Sequence, residues 1–371
     1  MADGKGTVEV LAMSLFADVF RDRRVLVTGH TGFKGSWLVL WLQQLGARVT
    51  GVALDPESEC AHWNLLQLPI NDVRLDIRDL AGLQTVFRQS QPELVLHLAA
   101  QPLVRRSYRE PVSTWATNVM GTVNVLECSR ACDSVRAVLA VTTDKVYANH
   151  EWEWGYRETD RLGGADPYSA SKAAAELVVE CYRRSWPKLN GGALVATARA
   201  GNVVGGGDWS EDRLVPDLVR AVQSRRSLEI RSPLSTRPWQ HVLESLSGYL
   251  LLGQRLLQGD ETAAGAWNFG PGPNGNCTVQ DVLTRLQRDW AEVRWHVTSA
   301  VQPHEAHLLH LDSTRAQRRL GWKPIWELDR TLLETATWYR AWLQDGVVCS
   351  SQQLMEYCAA ACRAGAVWGP Q

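Results

Sequence analysis

Val25-Leu26-Val27-Thr28-Gly29-His30-Thr31-Gly32-Phe33-Lys34-Gly35-Ser36-Trp37 is a short apolar run, then three evenly spaced glycines, then the opening of an amphipathic helix that ends near Gly46. Strand, glycine turn and helix in that order predict a dinucleotide site, because glycine lets the backbone turn tightly and approach a pyrophosphate. The free amides and positive dipole end of the next helix then attract its charge. Gly29, Gly32 and Gly35 form the turn, Phe33 lies within it, and His30 and Lys34 are expected to add direct phosphate contacts. A glycine trio alone is weak evidence; the flanking strand and helix give it meaning.

Outward from this stretch, short apolar runs alternate with amphipathic ones, the βαβ rhythm of a parallel sheet covered by helices on both faces. Buried strands are expected at Val25 to Val27, Arg48 to Ala53, Leu94 to Leu98, Ala137 to Thr142 and Leu194 to Arg199. The fold class is therefore α/β, a Rossmann-type doubly wound parallel sheet with a smaller, irregular C-terminal substrate-binding lobe. Residues 21–200 read as the dinucleotide-binding domain, 1–20 as an extension, and 201–371 mainly as the second lobe, where Gly205-Gly206-Gly207 and prolines break the rhythm. The apolar helix Val242 to Leu257 and the short strand Trp267 to Phe269 are expected to return to the first domain, so that segments near 238–270 belong there.

Asp55 falls twenty positions beyond Gly35, at the end of the second strand, where a carboxylate accepts from both ribose hydroxyls. That favours NAD over NADP, since a 2′-phosphate would be repelled and Arg48 at the strand's start is poorly placed to reach it. Asp76-Ile77 is a candidate clamp for the adenine edge, and Ala99-Ala100 supplies small residues for close approach of the cofactor.

Asp166-Pro167-Tyr168 starts a helix with a capping residue and a first-turn proline, and puts Tyr168 and Lys172 on one face. A tyrosine pKa of about 10 must fall by roughly three units, about 4 kcal/mol, for the phenol to act as a base near neutrality. One ammonium at about 4 Å in an effective dielectric near 20 supplies a similar amount. Thr143-Asp144-Lys145 closes the fourth of these strands and sets a hydroxyl, an acid and an amine where ligands bind such sheets. By itself that triplet reads equally as a strand-terminating turn with a surface ion pair.

Composition narrows the partner. A net charge of -1 over 371 residues gives no field that favours nucleic acid or an anionic membrane. No segment is an uninterrupted apolar span of roughly 18 residues, and Asp18 breaks the N-terminal apolar stretch. Eight cysteines without a CxxC pair suggest a reducing, cytoplasmic setting and no metal site. Cys128/Cys132 and Cys358/Cys362 read as packing thiols.

The glycine spacing, Asp55, Asp76, Thr143-Asp144-Lys145 and Tyr168/Lys172 together resemble the extended short-chain dehydrogenase/reductase superfamily. Within it, the chain resembles the CDP-glucose 4,6-dehydratases from about Arg24 to about Tyr357. That likeness is carried by TGHTGFKGSW, AAQPLVRRSY, EWEWGYRE, DPYSASK, AGNVVGGGDW, RPWQHV and HEAH. It implies a redox-neutral dehydration in which NAD takes hydride from sugar carbon 4 and returns it to carbon 6. Tyr168 is then the base for the 4-hydroxyl, Thr143 its hydrogen-bonding partner, and Lys172 the residue that holds the ribose and tunes the tyrosine. Asp144 protonates the leaving 6-hydroxyl, and Lys145 stands where dTDP-glucose dehydratases carry a glutamate base.

The resemblance also assigns substrate contacts to Gln101, Asn202, Arg213, Arg237, Trp239, Asn268 and His304, and it implies a homodimer formed through two helices of the first lobe. Competing expectations are a GDP- or dTDP-linked dehydratase, a nucleotide-sugar 4-epimerase, which needs no Asp144-Lys145, and an NAD-sensing protein without turnover.

Overall fold

The computed structural model describes residues 14–185, 193–298 and 308–370. In chain order its central strands are β1 (Arg24–Thr28), β2 (Arg48–Ala53), β3 (Asn71–Arg74), β4 (Leu94–His97), β5 (Ala137–Val141) and β6 (Leu194–Ala200). Short pieces follow as β7 (Val203–Val204), β8 (Leu228–Ile230), β9 (Thr236–Pro238), β10 (Gln240–His241), β11 (Ala266–Phe269), β12 (Asn276–Thr278) and β13 (Trp295–Val297). The main helices are α1 (Phe33–Gln44), α2 (Leu80–Ser90), α3 (Gly121–Arg130), α4 (Pro167–Ser185), α5 (Leu214–Gln223), α6 (Val242–Leu257), α7 (Val279–Asp289), α8 (Leu328–Asp345) and α9 (Ser350–Arg363).

Seven strands form one parallel sheet in the order β11-β6-β5-β4-β1-β2-β3. The chain reverses its direction of travel across the sheet between β1 and β4, and a crevice opens there at the carboxyl ends of the strands. Strand side chains alternate between two cores, as a two-residue period requires. Val25, Val27, Leu94, Leu96, Leu139 and Val141 join α1, α6 and α8 on one face, while Leu26, Val95, Val138 and Ala140 join α2, α3 and α4 on the other.

The helix after the glycine turn was expected to be amphipathic, yet α1 is buried without a break from Gly35 to Leu42. It is sandwiched between the sheet and a further aromatic layer. That layer holds Trp338, Trp368 and Tyr357, together with Phe16 near the N-terminus, which stacks on Trp368 at 5.0 Å. Residues 1–13 of the expected extension lie outside the described residues, whereas Leu15, Phe16 and Phe20 belong to the core. α6 packs on β5 and β6, and β11 extends the main sheet beside β6. Outside that sheet, β8 pairs with β13 and β9 with β12, next to α5 and α7. Among the described residues, no helix is long and apolar enough to cross a membrane.

Candidate active site

A single cleft of about 1260 Å³ runs along the carboxyl edge of the sheet, from Asp55 and Asp76 past Tyr168 to Arg231 and Arg237. Pockets for one small ligand are typically 300–1,000 Å³, so there is room for a cofactor and a second molecule together.

At the cofactor end the backbone is the working part. Gly29 has φ +76°, where only glycine sits without strain, and a Cβ there would lie 2.6 Å from the amide nitrogen of Ala99. A Cβ on Gly35 would stand 2.1 Å from the carbonyl oxygen of Gly29. Gly32 caps α1 with no side chain satisfying the helix's first amides. This open, uncapped helix start fits a diphosphate. Beneath it Thr28 Oγ1 accepts from the Ala99 amide (3.2 Å) and donates to His97 Nδ1 (2.7 Å), whose Nε2 donates to Thr122 (3.0 Å). Burial drives the His97 pKa down to about 3, so this floor is neutral.

Phe33, Asp55, Asp76, Ile77, Ala99 and Ala100 all line this end. Asp55 is exposed, with Arg74 Nε 3.6 Å away. Asp76 is gripped by Arg78 through Nε (3.0 Å) and Nη2 (2.6 Å), and those bonds hold its carboxyl below the ordinary range.

Of the two expected phosphate contacts, His30 is corrected, while Lys34 stays in the cleft. His30 is fully buried on the far side of the turn, with Nε2 2.9 Å from Asp72 Oδ1 and its ring edge-on to Trp63. It props Gly51, where a Cβ would meet the imidazole at 2.5 Å. Lys34 does line the cleft, but its Nζ points inward to the Tyr249 hydroxyl at 3.3 Å. Burial, helped by the charge of Arg213, pushes its pKa down to about 7.

At the catalytic end, β5 delivers Thr143 and a single 3-10 turn carries Asp144, Lys145 and Val146. Thr143 Oγ1 donates to Asp144 Oδ1 (2.9 Å), and Lys145 Nζ donates to the same oxygen (3.3 Å). The other oxygen, Oδ2, is buried without a protein partner. α4 begins as the sequence predicts: Asp166 accepts from the Ser169 amide (2.9 Å), and Tyr168 and Lys172 come to lie buried on the face toward the sheet.

Tyr168 lies beside Thr143, whose hydroxyl acts to lower the phenol's pKa, so phenol, hydroxyl and acid form one group. Lys172 Nζ donates to the Val141 carbonyl at 3.1 Å. Here the electrostatics differ from expectation. Burial outweighs the lowering effect of the Thr143 hydroxyl and pushes the Tyr168 pKa up to about 12, while burial takes Lys172 down to about 8 against the pull of Glu176. The chain by itself therefore holds the phenol protonated, and any acidification requires additional positive charge in the cleft.

Among the expected substrate contacts, Gln101, Asn202, Arg213, Arg237 and Trp239 line the cleft. The Gln101 amide is spent on its own loop, reaching Leu103 and Thr114. Arg213 is paired with Asp208 at 2.9 Å. Asn268 is a correction: it is fully buried behind the cleft, accepting from Tyr147 (2.8 Å) and donating to the Tyr156 carbonyl (2.8 Å). His304 lies outside the described residues. Sequence reasoning passed over Asn118, which brackets the Gln101 backbone and Ser171 of α4, and Arg74 beside Asp55. Arg74 sits at the end of a polar strand too weakly patterned to be read as one.

The family model described as GDP-mannose 4,6 dehydratase matches residues 26–335. A CDP-glucose 4,6-dehydratase from Salmonella typhimurium is 44% identical over 355 residues, covering 93% of this chain and 98% of the relative. A dTDP-glucose 4,6-dehydratase from Streptomyces griseus is 29% identical, covering 86% and 95%. Among solved structures, the dTDP-glucose 4,6-dehydratase of Streptomyces venezuelae with NAD bound superposes with a TM-score of 0.71 at 26% identity, covering 85% and 96%. The Thermus thermophilus UDP-glucose 4-epimerase in complex with NAD gives a TM-score of 0.74 at 25% identity, covering 85% and 98%. With its glycine cradle, its buried Tyr168/Lys172 face and a match that spans nearly the whole chain, the protein belongs to the GDP-mannose 4,6 dehydratase family.

Proposed function

We infer that the protein converts CDP-D-glucose to CDP-4-dehydro-6-deoxy-D-glucose and water, as an NAD-dependent hydro-lyase. The observation that carries this reading is the placement of Asp144 and Lys145 beside Tyr168 in one cleft, together with 44% identity to a CDP-glucose 4,6-dehydratase. An epimerase needs the tyrosine and not the acid.

NAD would be held on the Gly29–Gly35 cradle and would supply a reversible hydride acceptor together with a positive charge in the cleft. Tyr168 accepts the proton of the 4-hydroxyl, and Thr143 hydrogen-bonds that same hydroxyl. Oxidation at carbon 4 makes the proton on carbon 5 acidic, and Lys145 is the proposed acceptor for it. Asp144 gives a proton to the hydroxyl leaving carbon 6, and its Oδ2 makes no hydrogen bond among the described residues. A hydride then reaches carbon 6 and a proton carbon 5, so the balance is the loss of one water. Arg213, Arg237, Asn202 and Trp239 are offered as contacts to the diphosphate and sugar, an assignment supported by their place along the far part of the cleft.

A homodimer is supported by the exposed apolar residues Tyr108, Val112, Trp115 and Met120, with Leu177 of α4, on neighbouring elements of the first lobe. A cytoplasmic setting is supported by eight free thiols. The deciding test is incubation of the protein and NAD with CDP-, dTDP-, GDP- and UDP-glucose in separate reactions. The expected result is a 4-keto-6-deoxy product from CDP-glucose without net NADH; an isomerised sugar that has lost no water would overturn the dehydratase reading.

A further inference from the structure

Behind the catalytic turn lies a string of buried polar side chains that the reaction steps leave unused. Glu176, one helical turn beyond Lys172, and Arg199, near the end of β6, are each 3% exposed. The carboxylate accepts from Arg199 Nε (2.9 Å) and Nη2 (2.7 Å), from Thr197 Oγ1 (2.8 Å) and from Thr142 Oγ1. Arg199 Nη1 donates to the Tyr147 hydroxyl (2.7 Å), which donates to Asn268. Thr142 and Tyr147 bound the catalytic turn on either side, and Thr143, Asp144 and Lys145 lie between them. One ion pair thus grips that turn at both ends and sits on the same helix face as Lys172.

A buried ion pair adds little stability over a well-packed apolar pair, so its presence calls for another reason. We propose that Arg199 and Glu176 are positioning residues of the reaction, holding the Thr143–Asp144–Lys145 turn and Lys172 in register with Tyr168. The proposal rests on the reading of that cluster as catalytic. Neither residue lines the cleft, so they act through their neighbours. The electrostatics agree. Burial pushes the Glu176 carboxyl up, but Arg199 and the hydroxyls outweigh it and keep the group ionised, and its charge works against the burial that lowers Lys172. The other ionisable groups that interact with Lys172 are Lys34 of α1 and His97 of β4. Glu176 is the carboxylate that raises Lys172.

Three variants test this in the full-length protein. Glu176→Gln keeps the shape and removes the charge; the expected result is a kcat lower by about tenfold, KM within about twofold, and an alkaline limb of the pH profile moved down by about half a unit or more. Arg199→Lys keeps the charge at Glu176 and cuts the link to Tyr147; a fall in kcat without the pH shift is expected. The double change Glu176→Met/Arg199→Met replaces the pair by apolar residues of similar volume and is expected to melt within a few degrees of wild type while losing about tenfold or more in kcat.

The pH dependence of NAD affinity, followed by calorimetry, reads Lys172 without any sugar and should move with Glu176→Gln in the same direction. If the variants fold and neither kcat nor either pH profile changes, the positioning role is wrong, and should the double variant fail to fold, the two single variants decide alone. If CDP-glucose is not turned over by wild type yet the NAD profile shifts as stated, the substrate reading fails and the positioning role stands.

Discussion

The two halves of the cleft are built on opposite principles. At the cofactor end the contacts come from backbone, the histidine beneath is neutral, and the carboxylates of Asp55 and Asp76 stand at or near the surface. At the catalytic end Asp144, Tyr168, Lys172, Glu176 and Arg199 crowd together with little access to water. A cofactor of fixed shape can be held by a rigid cradle assembled from adjacent residues. Proton transfer requires groups whose charge is set by their surroundings, and those surroundings are gathered from distant parts of the chain.

The contrast is broken most directly at Tyr168. Tyr168→Phe removes the proton acceptor and leaves the cradle untouched, so kcat should fall by about 10³-fold or more while NAD affinity stays within a few-fold. Equal losses in both would show that the halves are not separable. Asp144→Asn should leave oxidation at carbon 4 intact and slow elimination by about 10²-fold. Its signature is a rise in absorbance at the NADH wavelength after CDP-glucose is added, and a variant that turns over without such a rise would remove Asp144 from the elimination step.

Gly35→Ala attacks the other half. The new methyl carbon would start 2.1 Å from the Gly29 carbonyl, so the turn must open and the cradle lose its shape. NAD affinity should drop by about a hundredfold or more, near 3 kcal/mol, with Tyr168 and its partners undisturbed. Calorimetric titration of the folded variant measures this, and wild-type affinity would mean that the close approach inferred at Gly35 is not needed for binding.

The neutral floor has a pH signature. His97, together with His62 and His241 in the layer behind, has its pKa driven by burial to about 3. An unfolded histidine binds a proton below about 6.5 and these folded ones do not until near 3, so the stability they preserve is complete above pH 6.5 and is lost progressively as the pH falls. At pH 5 each contributes a loss on the order of 2 kcal/mol. Melting temperatures should therefore be level from pH 7 upward and fall between pH 6.5 and 5. A flat curve through that window would mean that these imidazoles can charge in place.

The same division explains what the sequence revealed. The strands at Val25, Arg48, Leu94, Ala137 and Leu194, the glycine turn, and the Asp166-capped helix with Tyr168 and Lys172 are patterns within a few residues, and the structure bears them out. β3 was not legible because Asn71–Arg74 carries one apolar residue in four at the sheet's edge. His30 and Asn268 were misread because a residue's place in a motif does not say to which side of the backbone it points; both turn away from the cleft into polar partners at Asp72 and Tyr147.

Glu176 was not singled out in the sequence, because its meaning depends on Arg199 from a distant strand. Tryptophan outnumbers phenylalanine, 17 to 5. Several buried indoles find an acceptor for their N–H where phenylalanine would offer none, as Trp37 does at Gly206, Trp267 at Ala263, Trp322 at Ser247 and Trp338 at Ser350.

The smallest expected effect lies at the surface end of the cofactor half. Asp55 is open to water, and an exposed ion pair such as Asp55 with Arg74 adds little stability. Its proposed value is in selection, because a carboxylate there would accept from the ribose hydroxyls and repel a 2′-phosphate. Asp55→Ser should weaken NAD by about tenfold, close to 1.4 kcal/mol, and should improve NADP relative to NAD. Arg74 remains in place for that phosphate, anchored on Asp72 at 2.7 Å, where Arg48, at the other end of the strand, is spent on Asp22. Adding Arg74→Ala should abolish the gain for NADP while changing NAD little. If Asp55→Ser excludes NADP as strictly as wild type, selection at this end is set by the shape of the backbone and not by charge, and the cofactor half would be even more a matter of main chain than its glycines already make it.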